Sequence, residues 1–247
     1  MNPRFWVVLV VMLVAGEAVV GDDKPRRERP KYEYRDDHDP NGIGKFYMGR
    51  EIARVMGYGA AGWLERQERV EEEAPDKLIA ALEVKEGMIV ADVGAGSGYH
   101  SLRLAPLVGP KGKVIASDIQ QEMLDLITKK ARAKKVTNIE TVRGTATDPK
   151  LPVGQVDLIL MVDVYHEFEF PFEMTEKLVE ALKPGGRLVF VEFRLEDDKV
   201  PIKLVHKMSE RQVLKEMAVF PEMEHTQTYK ELPWQHVIFF TKKVEKK

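Results

Sequence analysis

The chain has 247 residues, 44% of them hydrophobic and 32% charged, which is enough for one well-buried α/β core and too few for a second full domain. A formal charge of −2 and a pI near 6.3 give no overall electrostatic pull toward nucleic acid or anionic lipid. Cysteine is absent, which excludes disulfides, zinc-thiolate sites, iron–sulfur clusters and thiol nucleophiles.

The chain begins with Arg4, an apolar stretch from Phe5 to Ala15 and small residues at Gly16, Ala18 and Gly21. This is the grammar of an export signal, so residues 1–21 are expected to be a signal peptide that sends the protein to the periplasm or outside the cell. Glu17 interrupts the run before the roughly 20 apolar residues that a spanning helix needs. The alternative is an uncleaved membrane anchor. In that case Lys24, Arg26, Arg27, Arg29, Lys31 and Arg35, which outnumber Arg4, would keep the rest of the chain in the cytoplasm. Membrane contact is expected only through this segment, if it is uncleaved.

Residues 22–41 are charged, contain proline and are poor in aliphatics, which predicts a linker. Residues 42–77 are expected to form a helical cap, from short pieces such as "MGREIARVM" and "AAGWLERQERVEEEAP". Tyr47, Tyr58 and Trp63 in this stretch are packing residues or, alternatively, a lid over a ligand.

From residue 78 to 247 strands and helices alternate. A strand ending in "IVADV" leads into the loop "GAGSG" and a helix-like "YHSLRLAPLV", then strand "KVIASDI" and a helix with Met123, Leu124, Ile127 and Ala131 on one face. Strands "IETVRG" and "VDLILMVDV" follow, then a helix through Leu178, Val179 and Leu182 and the strand "RLVFVEF". Ser209 is placed to cap a further helix, and two late strands flank "KELPW" closely enough for a hairpin. Strands apolar on both faces and separated by amphipathic helices predict a parallel, Rossmann-like sheet covered on both sides.

The glycine loop has the pattern G-x-G-x-G, at Gly94, Gly96 and Gly98. A dinucleotide site wants its third glycine one position later, where this chain has Tyr99, and Asp92 at the strand end would repel a pyrophosphate. The combination disfavours a nicotinamide dinucleotide and favours a cationic, phosphate-free cofactor. S-adenosylmethionine has a sulfonium, an ammonium and a ribose with free hydroxyls. Asp118, ending the second strand, is positioned to accept from both of those hydroxyls.

Together "VADVGAGSGY", "VIASDI", "GTATDPKLPVGQVDLILMVDVYHEF" and "ALKPGGRLVFVEF" resemble, in order, the motifs of class I S-adenosylmethionine-dependent methyltransferases, most closely the small-molecule branch related to quinone biosynthesis. The resemblance runs from about Leu78 to Phe193, with a tail to Lys243. It implies a seven-stranded sheet of order 3-2-1-4-5-7-6, with the last strand antiparallel and helices on both faces. It also implies S-adenosyl-L-methionine as cofactor, surrounded by Asp92, Gly94, Gly96 and Gly98 at the methionine end, with Asp118 on the ribose and Ile119 against adenine. Many relatives have G-D-A after the third strand, where this chain has Gly144, Thr145 and Ala146. With Ala146 at the adenine end, the missing acid is assigned to Asp148, which is equally well read as a turn aspartate before Pro149.

Methyl transfer from a sulfonium needs positioning, desolvation and, for a hydroxyl or acidic carbon, a base; it requires no metal. The fourth strand ends in "DVYHEFEFP", in the crevice where α/β sheets bind ligands, so Asp163, Tyr165, His166 and Glu167 are the candidates at the reacting end. His166 is a general base or a structural histidine, and His206 is expected to be a cap or surface residue. The sequence departs from the D-P-P-Y and N-P-P-Y patterns of nucleic-acid adenine and glutamine methylation, so no nucleic-acid partner is expected. The expected acceptor is a small molecule or an exposed polar side chain. A non-catalytic cofactor binder and an isoaspartyl-repair enzyme remain as alternatives.

Overall fold

The computed structural model describes residues 29–244. The expected signal peptide lies outside the described residues, and no described helix is long and apolar enough to cross a membrane.

The centre is a seven-stranded sheet. Its strands are β4 (Ile89–Val93), β5 (Lys113–Asp118), β6 (Ile139–Arg143), β7 (Val156–Val162), β8 (Leu182–Phe193), β9 (Met223–Tyr229) and β10 (Gln235–Lys242). The order β6-β5-β4-β7-β8-β10-β9 is the implied 3-2-1-4-5-7-6, and β10 runs antiparallel to both neighbours. Alternation of side chains assigns the two faces. On β7, Ile159 and Met161 join one core cluster while Leu158 and Leu160 join the other, and β8 splits Leu188 and Phe190 from Val189 and Val191 in the same way. Helices α2 (Pro75–Ala81) and α3 (Ser101–Val108) cover one face through Leu78, Leu104 and Val108. The same face of β5 that carries Val114 also carries Ala116, and there α4 (Gln121–Ala133) packs with Leu124 and Ile127. The opposite face is covered by α5 (Pro171–Ala181) and α6 (Glu210–Met217), whose Leu178, Val179, Val213 and Met217 are buried. The Ser209 hydroxyl caps α6 by accepting from Gln212 N at 3.1 Å.

The N-terminal region corrects the expected helical cap. Residues 42–53 are strands: β2 (Gly42–Tyr47) and β3 (Arg50–Ala53) pair antiparallel, and β1 (Tyr32–Tyr34), within the expected linker, adds a third strand. The two-residue connection Met48–Gly49 has φ of 49° and 97°, so both central residues are left-handed, as a type I′ hairpin requires. The short spacing of apolar residues in "MGREIARVM" fits a helix equally well, but Met48 and Gly49 both adopt the left-handed backbone that closes a hairpin. A short helix, α1 (Arg69–Glu73), and a 3-10 segment, Tyr58–Glu65, complete the region.

The small sheet docks on the α5–α6 face, where Tyr47 and Ile52 enter the main core and Tyr32 Oη donates to Glu173 at 2.6 Å. Its anchor is a buried, bidentate ion pair. Arg50 Nε and Nη2 donate to the two carboxylate oxygens of Glu216 at 2.6 and 3.1 Å, and Nη1 donates to the His166 carbonyl at 3.2 Å. Removing one partner leaves an uncompensated buried charge. Glu216→Ala is therefore expected to lower stability in urea unfolding by about 3–5 kcal/mol, while Arg50→Met with Glu216→Leu recovers most of that loss.

Candidate active site

The carboxyl ends of β4, β5, β7 and β8 open into a cavity of about 470 Å³. One end is built by the glycine loop. Gly94 and Gly96 have φ of 69° and 52°, and a Cβ at Gly94 would meet Val164 at 2.3 Å while one at Gly96 would meet Leu64 at 2.7 Å. Bare backbone is therefore what fits against Val164 just beyond β7 and Leu64 of the N-terminal region. The loop is pinned by the neighbouring strand, with Gly94 N and Ala95 N donating to Ser117 O at 2.8 and 3.1 Å.

Asp118 lies on the cavity wall, and each of its carboxylate oxygens takes one backbone N–H: Gly96 N and Gln120 N, both at 2.9 Å. About two lone-pair sites stay open for a ligand's hydroxyls. Burial raises its pKa. Ile119, Ala146, Met123 and Pro149 line the wall beyond it, an apolar slot for a flat ring. Asp148 does not join them. Its carboxylate closes a turn by accepting from Lys150 N and Nζ at 2.7 and 2.8 Å, so the turn reading holds and the adenine end has no acid of its own there.

Asp92 departs from expectation as well. It is buried behind the loop, off the cavity wall, where Ser101 Oγ at the start of α3 donates to it at 2.6 Å; burial pushes its pKa up to about 6. Gly98 is also off the wall, packed toward Ile127. Asp163, like Asp118, does line the cavity. Its Oδ2 accepts from Gln235 Nε2 at 2.6 Å, while Oδ1 is buried with no hydrogen-bond partner. Burial, with Glu73 and Glu192 nearby, holds its pKa well above the usual carboxylate range. An orphaned carboxylate oxygen beside a bare glycine cradle fits the ammonium of S-adenosylmethionine, and open lone pairs on Asp118 fit its ribose.

After β7 the chain makes a 3-10 turn, Tyr165–Glu167, which divides its side chains. Tyr165 goes into the core, edge-on to Phe168 and Phe190 with Arg50 against its ring, and does not reach the cavity. His166 and Glu167 reach it. His166 Nδ1 donates to Glu192 Oε2 at 2.6 Å, and the other oxygen of Glu192 accepts from Tyr165 N at 3.1 Å. Burial disfavours the charged ring, but the Glu192 carboxylate more than offsets it and the His166 pKa is raised. Burial pushes Glu167 up to about 7. His206, expected to be a cap or surface residue, is brought by the 3-10 turn Leu204–His206 to within 3.2 Å of His166, Nδ1 to Nε2. Burial and the neighbouring His166 lower its pKa to about 4.

Three contributors were not legible as site residues. Glu192 sits in an apolar strand motif, Arg69 in a charged helix and Met56 at the end of "MGREIARVM", whose spacing reads as a packing helix. Arg69 is buried and lines the cavity, with Nε donating to Glu73 at 2.5 Å and its guanidinium 4.2 Å over the Tyr99 ring. Of the aromatics, Trp63 lines the cavity, Tyr47 is core and Tyr58 is exposed. The segment carrying Trp63 is tied across the loop by Glu65, which accepts from Ser97 Oγ and from Lys130 Nζ.

Residues 84–245 match the model of the protein family described as "Methyltransferase domain". The chain is 29% identical over 111 residues to the protein-L-isoaspartate O-methyltransferase of Methanothrix thermoacetophila, across 44% of this chain and 49% of that protein. It is 30% identical over 121 residues to the ubiquinone/menaquinone biosynthesis C-methyltransferase of Pseudomonas entomophila, across 49% of this chain and 47% of that protein. The chain thus spans about half the length of these curated relatives. Among solved structures, a SAM-dependent methyltransferase from Aquifex aeolicus superposes with a TM-score of 0.70 at 26% identity, covering 76% of this chain and 99% of that one. With the strand order, the glycine cradle and Asp118, these likenesses establish that the chain belongs to the methyltransferase-domain family, as a class I S-adenosylmethionine-dependent member.

Proposed function

We propose that the protein transfers a methyl group from S-adenosylmethionine to a small molecule with an apolar body and an ionisable hydroxyl or acidic carbon. The observation that carries this reading is the presence, in one cavity, of a cofactor cradle and a histidine held by a buried carboxylate. Bound S-adenosylmethionine supplies an electrophilic methyl on a sulfonium. Asp118 takes the ribose hydroxyls, Asp163 Oδ1 the ammonium, and Arg69 is the buried cation on the wall for the carboxylate. His166, with Nδ1–H committed to Glu192, carries its lone pair at Nε2, where His206 Nδ1 lies 3.2 Å away, and accepts the acceptor's proton there once the acceptor displaces that ring contact. Val55, Met56, Phe168, Phe193 and Ile202 surround that end, exclude water and favour a flat, apolar acceptor. A polar isoaspartyl peptide fits such walls less well. We further propose, from the N-terminal sequence, that the protein is exported.

Each charge-assisted hydrogen bond to Asp118 contributes about 1.5–3 kcal/mol. Calorimetry is expected to show S-adenosylhomocysteine binding that weakens by at least about 10-fold in Asp118→Ala, and no tight binding of NAD; tight NAD binding sinks the cofactor assignment. His166→Ala is expected to lower turnover by about 10²–10⁴-fold with near-native cofactor affinity. If it instead lowers only the melting temperature, with turnover per folded molecule intact, the histidine is structural. No transfer to any acceptor in a broad screen, with strong cofactor binding, favours the non-catalytic reading. For export, mass spectrometry of the native protein is expected to find an N-terminus between Val19 and Lys24, whereas an intact Met1 in the membrane fraction overturns it.

A further inference from the structure

We propose that His166, Glu167 and His206 form a binding site for one divalent transition-metal ion of the zinc type at the acceptor end of the cavity. One nitrogen or oxygen from each of the three lies within 4.8 Å of the others, and all three residues line the same cavity. The two imidazoles face each other nitrogen to nitrogen at 3.2 Å, and His206 Nδ1 is 3.8 Å from Glu167 Oε1. A tetrahedral ion with bonds of about 2.0–2.1 Å separates its ligand atoms by about 3.3–3.4 Å. The nitrogen pair is therefore already at that spacing. Glu167 Oε1 lies 3.8 Å from His206 Nδ1 and must move toward the nitrogen pair to complete the set; Met56 N donates to that oxygen at 3.2 Å.

The surroundings are those of a ligated rather than a spare histidine. Glu192 accepts from His166 Nδ1, which fixes the tautomer that leaves Nε2 as a donor of its lone pair, the role of a carboxylate behind a metal-bound imidazole. Charge points the same way. Glu167, Glu192 and Asp163 converge here, and the nearby Arg50 guanidinium is committed to Glu216. A dication there offsets the buried Glu167 carboxylate. Two imidazoles and one carboxylate, in a chain without cysteine, suit zinc and its first-row neighbours rather than magnesium or calcium. The remaining coordination positions open to the cavity, where an acceptor oxygen can take one. That role rests on the methyltransferase reading and replaces proton uptake at His166 Nε2, whose lone pair the ion takes; occupancy of the site does not rest on it. Without an ion, the same 3.2 Å contact is a single N–H···N hydrogen bond between the two rings.

The test uses the full chain, freed of metal by chelation and titrated with Zn²⁺ alone against a chromophoric competitor and by calorimetry, without cofactor or acceptor. One ion per chain at micromolar affinity or tighter is expected. His206→Ala and Glu167→Gln are each expected to weaken it by at least 10-fold, and Glu192→Gln by about 10–100-fold. Co²⁺ is expected to give visible d–d bands that disappear in His206→Ala, with S-adenosylhomocysteine affinity in that variant reporting that it is folded. No binding tighter than about 0.1 mM, or binding that none of these variants changes, overturns the site. Cofactor binding and methyl transfer that persist in a protein that takes up no zinc overturn the site and leave the methyltransferase reading standing; zinc uptake without transfer to any acceptor does the reverse.

Discussion

Buried negative charge at one edge of a parallel sheet is the constraint on which the rest of this structure depends. Asp92, Asp118, Asp163 and Glu192 all come from the carboxyl ends of strands or the residue just beyond, and parallel pairing delivers those ends to the same edge. Each must be satisfied in place. Ser101 serves Asp92, two backbone amides serve Asp118, and His166 with the Tyr165 amide serves Glu192. Asp163 is left half-satisfied. Burial makes charge on Asp118 and Asp163 costly, as their raised pKa values show, and a cationic occupant of the cavity relieves that cost whereas a pyrophosphate adds to it. The choice of a sulfonium cofactor over a dinucleotide follows from that electrostatics as much as from the glycine spacing.

The N-terminal sheet is part of the same solution. Arg50 neutralises Glu216 and also holds the carbonyl of His166, so the ion pair that docks the small sheet fixes the backbone of a residue on the cavity wall. A buried pair of this kind contributes little net stability compared with a well-packed apolar pair. Here it couples a peripheral element to the position of the site. The chain that leaves the small sheet then supplies Met56 to Glu167, and it lays Leu64 and Trp63 against the cofactor end.

Much of the domain was legible because its signals are local. The apolar strands, the amphipathic helix at Gln121–Ala133, the Ser209 cap and the late hairpin each rest on periodicity or on a residue within a few positions. The N-terminal hairpin was misread because "MGREIARVM" satisfies a helical spacing while its turn depends on two left-handed residues. Only one of those two is a glycine, so the turn signal is weak.

The sequence by itself determined the fold family, the S-adenosylmethionine cofactor and the positions of the glycine loop, Asp118 and His166, because covalent proximity within each strand–loop–helix unit places those groups whatever surrounds them. Tertiary structure alone decided which carboxylates meet the cavity. Asp92 and Asp163 both sit at strand ends, yet the start of α3 captures the first while a left-handed backbone at the second, φ 52°, turns it to the void. It likewise decided that Tyr165 faces the core, and that His206, 40 residues from His166, lies against it. No local pattern encodes a contact between two loops on different strands; it exists only once the sheet has set the distance between them.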